Sequence, residues 1–208
     1  MATIILFMRK FEVKKIFFKK NKIKSNNGRL LFMEKKGLLI LIPVLFLFSF
    51  AKVKSTEKEK INWLTVEELN VKMKSESKPV IIDLYTNWCY WCKVMDKKTY
   101  TNPKVISYIN EHFYAVKVNA ETKEAVQWDN IKYDYNSKDK VNNFALYLTQ
   151  GQLEFPNTVI FPDVQNSPAA IPGFMEPKEI EIVLKYFGDE VYKKQNFTQY
   201  SANFKSTW

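Results

Sequence analysis

The chain has 208 residues, with 32 Lys+Arg against 22 Asp+Glu (formal net charge +10), 8 Pro, 5 Gly and only 2 Cys, which excludes a low-complexity or repeat protein and a cysteine-stapled scaffold. The charge is uneven: residues 1–51 carry 11 Lys+Arg and 2 acids, +9, while residues 52–208 carry 21 Lys and 20 acids, +1. Beyond residue 51 there is no surplus of positive charge to neutralise phosphates, so no nucleic-acid partner is expected.

Met33-Glu34-Lys35-Lys36, the apolar run from Gly37 to Phe48, and Ser49-Phe50-Ala51 have the charged start, apolar core and small-x-small end of a secretory signal peptide. Cleavage is expected before Lys52. The run is short for a membrane span of about 20 residues and Pro43 interrupts it; an uncleaved leader that anchors the protein is the alternative, and membrane contact is expected only through it. The basic, Phe-rich and Asn-rich residues 1–32 precede this signal, and the simplest account is a mis-assigned start with translation beginning at Met33. Export, with the periplasm as destination, places the two cysteines where disulfides persist. The expected organisation is a leader over 1–51, a charged linker over 52–62, one domain over 63–188 with an insertion around 121–150, and a helical extension over 189–208.

Thr65-Val66-Glu67-Glu68 has the spacing of a capping box, and Val66, Leu69 and Met73 recur at helical intervals, predicting a helix near 65–75. Val80 to Tyr85 reads as a buried strand. Asn102-Pro103 divides the segment from Cys89 to Asn110 into two helices. Residues 112–119 alternate into a second strand. The polar segment from Glu121 to Lys140 predicts a short helix and an exposed excursion, and Val141 to Leu148 a further helix. Thr158 to Phe161 and Ala169 to Ile171 predict paired strands, and Pro177 to Phe187 a helix with Pro at its start. One or two amphipathic helical segments carrying Val191, Tyr192, Phe197, Tyr200, Phe204 and Trp208 close the chain. This order predicts an α/β fold of three layers, with a central mixed β-sheet and helices on both faces.

The two cysteines stand three apart in Trp88-Cys89-Tyr90-Trp91-Cys92, directly after the first predicted strand. As a staple such a short loop is poor, at about 2 kcal/mol against nearly 5 for a long one. As a redox pair it is well placed, because the first sulfur falls at a helix N-terminus where free N–H groups and the helix dipole favour thiolate. A structural zinc site needs four ligands and only His112 could add to the pair, while covalent haem needs a His where Lys93 stands; no metal or cofactor is expected. A disulfide without redox work stays open. Asp83 lies on an apolar strand, where a lone carboxylate is costly, so its pKa is raised or it finds a partner. Capping of N–H groups at a strand end is its alternative role.

Together these residues resemble the thioredoxin-like superfamily, and more narrowly the exported thioredoxin-like proteins related to the catalytic domain of bacterial thiol-disulfide interchange proteins. The likeness runs from Trp63 to Gly188 and rests on Asp83 six residues before Cys89, on Trp88-Cys89-x-x-Cys92-Lys93, on Phe155-Pro156-x-Thr158 leading into a strand, and on Gly173 after the last strand. It implies a cis peptide before Pro156 that faces the active site, with backbone beside it for pairing an extended substrate strand. It also implies that Asp83 is a buried proton acceptor working on Cys92 through water. Cys89, the more exposed sulfur, is expected to attack a substrate disulfide and Cys92 to resolve the mixed disulfide. Trp88, Tyr90 and Trp91, with Phe155 and Pro156, are the expected substrate surface.

Tyr90-Trp91 between the cysteines and Asn157 after the proline depart from thioredoxin proper, and the 63 residues between Cys92 and Pro156 exceed its spacing. The surplus reads as an insertion, either a partner-recognition surface or a solvated excursion. The expected function is an exported thiol-disulfide oxidoreductase acting on protein thiols and disulfides. Without a His between the cysteines it is expected to be reductive or isomerising rather than strongly oxidising, and as a reductase it needs a membrane electron donor. The alternative is a non-catalytic thioredoxin-fold binding module.

Overall fold

In the computed structural model, residues 59–163 and 166–208 are described, and the predicted leader lies outside them. The apolar run that predicts the first strand is the centre of the sheet, β2 (Val80–Tyr85), ordered after a two-residue strand β1 (Trp63–Leu64) and helix α1 (Val66–Lys72). The capping box forms as its spacing predicts: the Glu68 N–H donates to Thr65 Oγ1 and the Thr65 N–H to Glu68 Oε2. Next come α2 (Tyr90–Lys98), α3 (Pro103–His112) and β3 (Tyr114–Asn119). Between α2 and α3, Asn102 caps the second helix through its side chain and Pro103 fills the first helical position.

The polar segment after β3 corrects the sequence reading. It contains no helix but two small hairpins, β4 (Val126–Trp128) with β5 (Ile131–Tyr133) and β6 (Tyr135–Asn136) with β7 (Val141–Asn142). Asp129 and Asn130 both take positive φ, 46° and 61°, which is the backbone of a two-residue hairpin turn. Nor is the segment a solvated excursion: Val126, Trp128 and Val141 are buried, and Trp128 packs against Phe144 and Phe161 with ring centroids 5.6 and 4.9 Å apart. Burial of one such side chain contributes roughly 2–3 kcal/mol. Helix α4 (Asn143–Thr149) starts two residues later than predicted, because Asn142 is spent as its cap.

Strands β8 (Asn157–Phe161) and β9 (Ala169–Pro172) and helix α5 (Pro177–Gly188) follow, then a 3-10 turn at Val191–Lys193 and helix α6 (Phe197–Asn203). The five-stranded sheet has the order β1-β3-β2-β8-β9. Its β1, β3 and β2 are parallel, whereas β8 is antiparallel to β2 and β9. Alternation along β2 sends Val80, Ile82 and Leu84 to one core with α1, α4 and the hairpin residues, and Ile81 to the other with α2, α3 and α5. This is the mixed sheet with helices on both faces that the resemblance implies, a thioredoxin-like α/β fold.

Candidate active site

Cys89 stands where the chain leaves β2 and enters α2. Its backbone is extended (φ −66°, ψ 110°), as an N-cap requires, and its sulfur takes the place usually held by a side-chain oxygen. The Cys92 N–H donates to Cys89 Sγ at 3.0 Å. The first turn of α2 holds no acid, so the helix N-terminus favours negative charge at this sulfur. Cys89 and Cys92 are joined as a disulfide, with Cα atoms 5.4 Å apart. The expectation that Cys89 is the more exposed of the two is not met, since the residues are 3% and 5% exposed. The physical reason is the cap itself, which turns the Cys89 sulfur back onto its own helix.

Asp83 is 2% exposed and sits within β2 rather than at its end, so capping at a strand end is not its role. Strand register sets Asp83 beside Lys117 of β3 and Thr158 of β8, on the sheet face covered by α2. Of the two alternatives expected for it, a raised pKa or a partner, both hold. Lys117 Nζ lies 2.9 Å from Asp83 Oδ2 and also pairs with Asp96 of α2. Burial still outweighs this cation and pushes the Asp83 carboxyl up to about 6, with Asp96 adding to the rise. The Lys117 ammonium loses stability through burial, yet the two carboxylates more than offset that and raise its pKa. Its position over the rings of Trp63 and Tyr85, at 5.5 and 5.1 Å, adds cation–π attraction.

Sequence reasoning missed Lys117 and Asp96. The signal for Lys117 was available: a lysine inside the alternating strand Tyr114-Ala115-Val116-Lys117-Val118, at the parity that faces the Asp83 side.

Around the cysteines the predicted aromatic surface is present. Trp88, Tyr90 and Trp91 are 67%, 69% and 54% exposed. Trp88 meets Phe155 edge-on at 6.0 Å, Tyr90 meets Trp91 at 5.4 Å, and Trp91 lies 5.5 Å from Phe174. The structure thus joins Trp88 to the Phe155-Pro156 segment and adds Phe174, which the sequence reading did not select although it follows Gly173. Trp88 Nε1 donates to Glu121 Oε1 at 2.9 Å, tying the loop before Cys89 to the chain just after β3. The Phe155–Pro156 peptide is cis, as the resemblance implies. Pro156 is buried, and its carbonyl accepts the Gly173 N–H at 2.8 Å. Gly173 has φ +102°, a backbone region that suits glycine.

Comparison with known proteins places these features in a family. The chain is 45% identical over 42 residues to the thiol:disulfide interchange protein DsbD of Escherichia coli (strain K12), covering 20% of this chain and 7% of that protein. It is 32% identical over 60 residues to an uncharacterized protein of Caenorhabditis elegans, covering 29% of this chain and 8% of that one. The chain therefore spans under a tenth of the length of these curated relatives. Among solved structures, a thioredoxin-fold protein from Helicobacter pylori is similar with a TM-score of 0.46 and 21% identity, over 60% of this chain and 81% of that one. A protein described as DsbH oxidoreductase is similar with a TM-score of 0.45 and 18% identity, over 62% and 85%. The C-terminal domain of DsbD from Neisseria meningitidis, in its reduced form, is similar with a TM-score of 0.37 and 19% identity, over 61% and 98%. The model of the family Thioredox_DsbH, described as protein of unknown function DUF255, matches residues 49–179, more than half of the chain, and the protein belongs to that thioredoxin-like family.

Proposed function

We propose that this protein is an exported thiol-disulfide oxidoreductase that acts on protein thiols and disulfides through Cys89 and Cys92. The observation that carries the reading is the Cys89 sulfur at the cap of α2, accepting the Cys92 N–H, with a buried carboxylate on the sheet face beneath. In the reduced protein, Cys89 as thiolate attacks one sulfur of a substrate disulfide, and one substrate thiolate leaves. The Cys92 thiol gives its proton to Asp83 and its sulfur attacks Cys89. The second substrate thiolate departs, and the protein is left as the disulfide. Trp88, Tyr90, Trp91 and the half-buried Phe155 offer an apolar rim for an extended protein segment, with the buried Pro156 behind it. The direction is reductive or isomerising, since no His lies between the cysteines, and the reductive case draws electrons from a membrane donor. The leader over 33–51 supplies export to the periplasm, and the domain over 63–188 does the chemistry.

One observation favours a second reading, a non-catalytic binding module: both cysteines are buried while the aromatic rim is exposed. Insulin reduction with dithiothreitol as donor separates the two. Cys89→Ser is expected to abolish the protein's contribution to the rate, and Cys92→Ser to accumulate a mixed disulfide at Cys89. Reduction by Cys89→Ser at the wild-type rate would refute the oxidoreductase.

A further inference from the structure

Tyr100 sits in the segment between α2 and α3, buried in the core beneath the sheet face that carries Asp83. Its ring meets Trp63 edge-on at 5.1 Å, and Trp63 in turn underlies the Lys117 ammonium. Thr158, fully buried, is the register neighbour of Asp83 across the β2–β8 pair. The Tyr100 Oη and Thr158 Oγ1 lie near enough to act on one another, but not in the geometry of a hydrogen bond, and neither has a hydrogen-bond partner elsewhere among the described residues. Two buried hydroxyls left open in this way are costly unless a group or water in the same pocket engages them. On the Tyr100 side a cleft of about 460 Å³ opens to solvent, lined by Glu59, Lys60, Trp63, Asp96 and Tyr100 among others.

The charged groups that act on the Tyr100 hydroxyl are Asp83 from β2 and Asp96 from α2, both paired with Lys117 from β3, while Glu59, Lys60 and Asp96 line the cleft itself. Burial raises the Tyr100 phenol well above its ordinary range, and the Asp83 and Asp96 carboxylates raise it further against the opposing effect of the Thr158 hydroxyl, so it remains a proton donor throughout the working pH range. Lys117 occupies Asp83 Oδ2. An O–H donor that never ionises, next to a carboxylate that must gain and lose a proton, is suited to setting when that carboxylate ionises.

We propose that Tyr100, seated with Thr158, is a positioning residue for the resolving step: its hydroxyl donates to the ionised Asp83 carboxylate, with or without one intervening water, and holds it ready to take the Cys92 proton. This rests on the oxidoreductase reading for its use, but not for its test. The proton passes from Cys92 Sγ to the Asp83 carboxylate, the Cys92 thiolate attacks Cys89, and the substrate thiolate leaves. Tyr100 donates a hydrogen bond throughout and transfers nothing itself.

The test is the titration of the Asp83 carboxyl carbon by NMR in the wild type, Tyr100→Phe and Thr158→Val, with the pH–rate profile of single-turnover exchange measured alongside. Loss of the donor is expected to move the Asp83 midpoint upward by about one pH unit in Tyr100→Phe, with a smaller rise in Thr158→Val. The acidic limb of the rate profile should follow. A purely structural hydroxyl would leave both midpoints in place. An unchanged Asp83 midpoint in Tyr100→Phe would overturn the proposal; should that variant fail to fold, an unchanged midpoint in Thr158→Val would do so. A shifted midpoint in a protein that performs no exchange would uphold the role of Tyr100 at Asp83 and refute the oxidoreductase, so the two failures are distinguishable.

Discussion

Asp83→Asn is expected to stabilise the folded protein at neutral pH, although it removes one end of an ion pair. Asn mimics the protonated carboxyl, and Lys117 keeps Asp96 as its counterion, so no buried cation is left alone. The carboxyl rises from 3.8 to about 6 on folding, because burial outweighs the attraction of Lys117. A shift of about two pH units corresponds to roughly 3 kcal/mol. The sign follows from which state holds the proton. Below about pH 4 the group is neutral in both folded and unfolded chains and costs nothing. Between about pH 4 and 6 the folded chain binds the proton more tightly, so wild-type stability falls as pH rises, and above about 6 the full cost is present. Urea denaturation of the oxidised wild type and Asp83→Asn from pH 3.5 to 8 measures this as a difference, in which contributions from groups that do not interact with Asp83 cancel. The variant should gain up to about 3 kcal/mol over that window, while its rate of resolving mixed disulfides falls. A difference that is flat with pH, or that favours the wild type as pH rises, would refute the account of Asp83.

Two further outcomes follow from packing on α5. Glu181 is fully buried, and its carboxylate accepts from Lys185 Nζ, Ser206 Oγ, the Thr207 hydroxyl, and the backbone N–H groups of Thr207 and Trp208. Burial opposes its ionisation, but these donors prevail and hold it near 2. Glu181→Gln should therefore cost about 3–5 kcal/mol and free the Thr207 and Trp208 amides to exchange, read by denaturation and hydrogen exchange. In the wild type the same contribution is fully present above about pH 4.5 and fades as pH falls toward 2. At Gly188 an added Cβ would lie 2.8 Å from Tyr108 Oη and 2.9 Å from its Cε1. Gly188→Ala should displace that ring, weaken its 2.6 Å hydrogen bond to Asp189 and lower stability by about 1–3 kcal/mol, measurable as a fall in Tm.

The parts of the fold legible in the sequence are those where a local pattern and a long-range requirement coincide. Val80 to Tyr85 reads as a strand because its β-branched residues suit a pleated, doubly covered position, and it is the strand both cores need. The Asn102-Pro103 break and the Thr65 capping box act within one turn of helix, so spacing alone reveals them. The hairpins after β3 were misread because their residues are mostly polar and the sheets are only two or three residues long. The turn dipeptide Asp129-Asn130 between Trp128 and Ile131 was the signal to weigh against a helix. β1 escaped notice for a related reason, since its two residues are strand only through pairing with β3.

At the site, Cys89, Cys92 and Asp83 are legible from residue type and spacing. The Lys117–Asp96 pair that completes the Asp83 environment depends on the register of β2 against β3 and on the rotation of α2. Glu181 illustrates the limit of local reading. Its i,i+4 lysine is visible in the sequence, but its capture of Ser206 to Trp208 depends on how the chain returns after α6.

The most direct test of the central claim is the reduction potential of the Cys89–Cys92 pair, measured in purified residues 52–208 by equilibration with graded thiol buffers and a count of free thiols. A reductive or isomerising exchange protein should give a value between about −270 and −180 mV, the span from thioredoxin to protein disulfide isomerase. A value near about −120 mV, that of a strong oxidant, would contradict the proposed direction. A disulfide that never equilibrates with the buffers would contradict the activity itself.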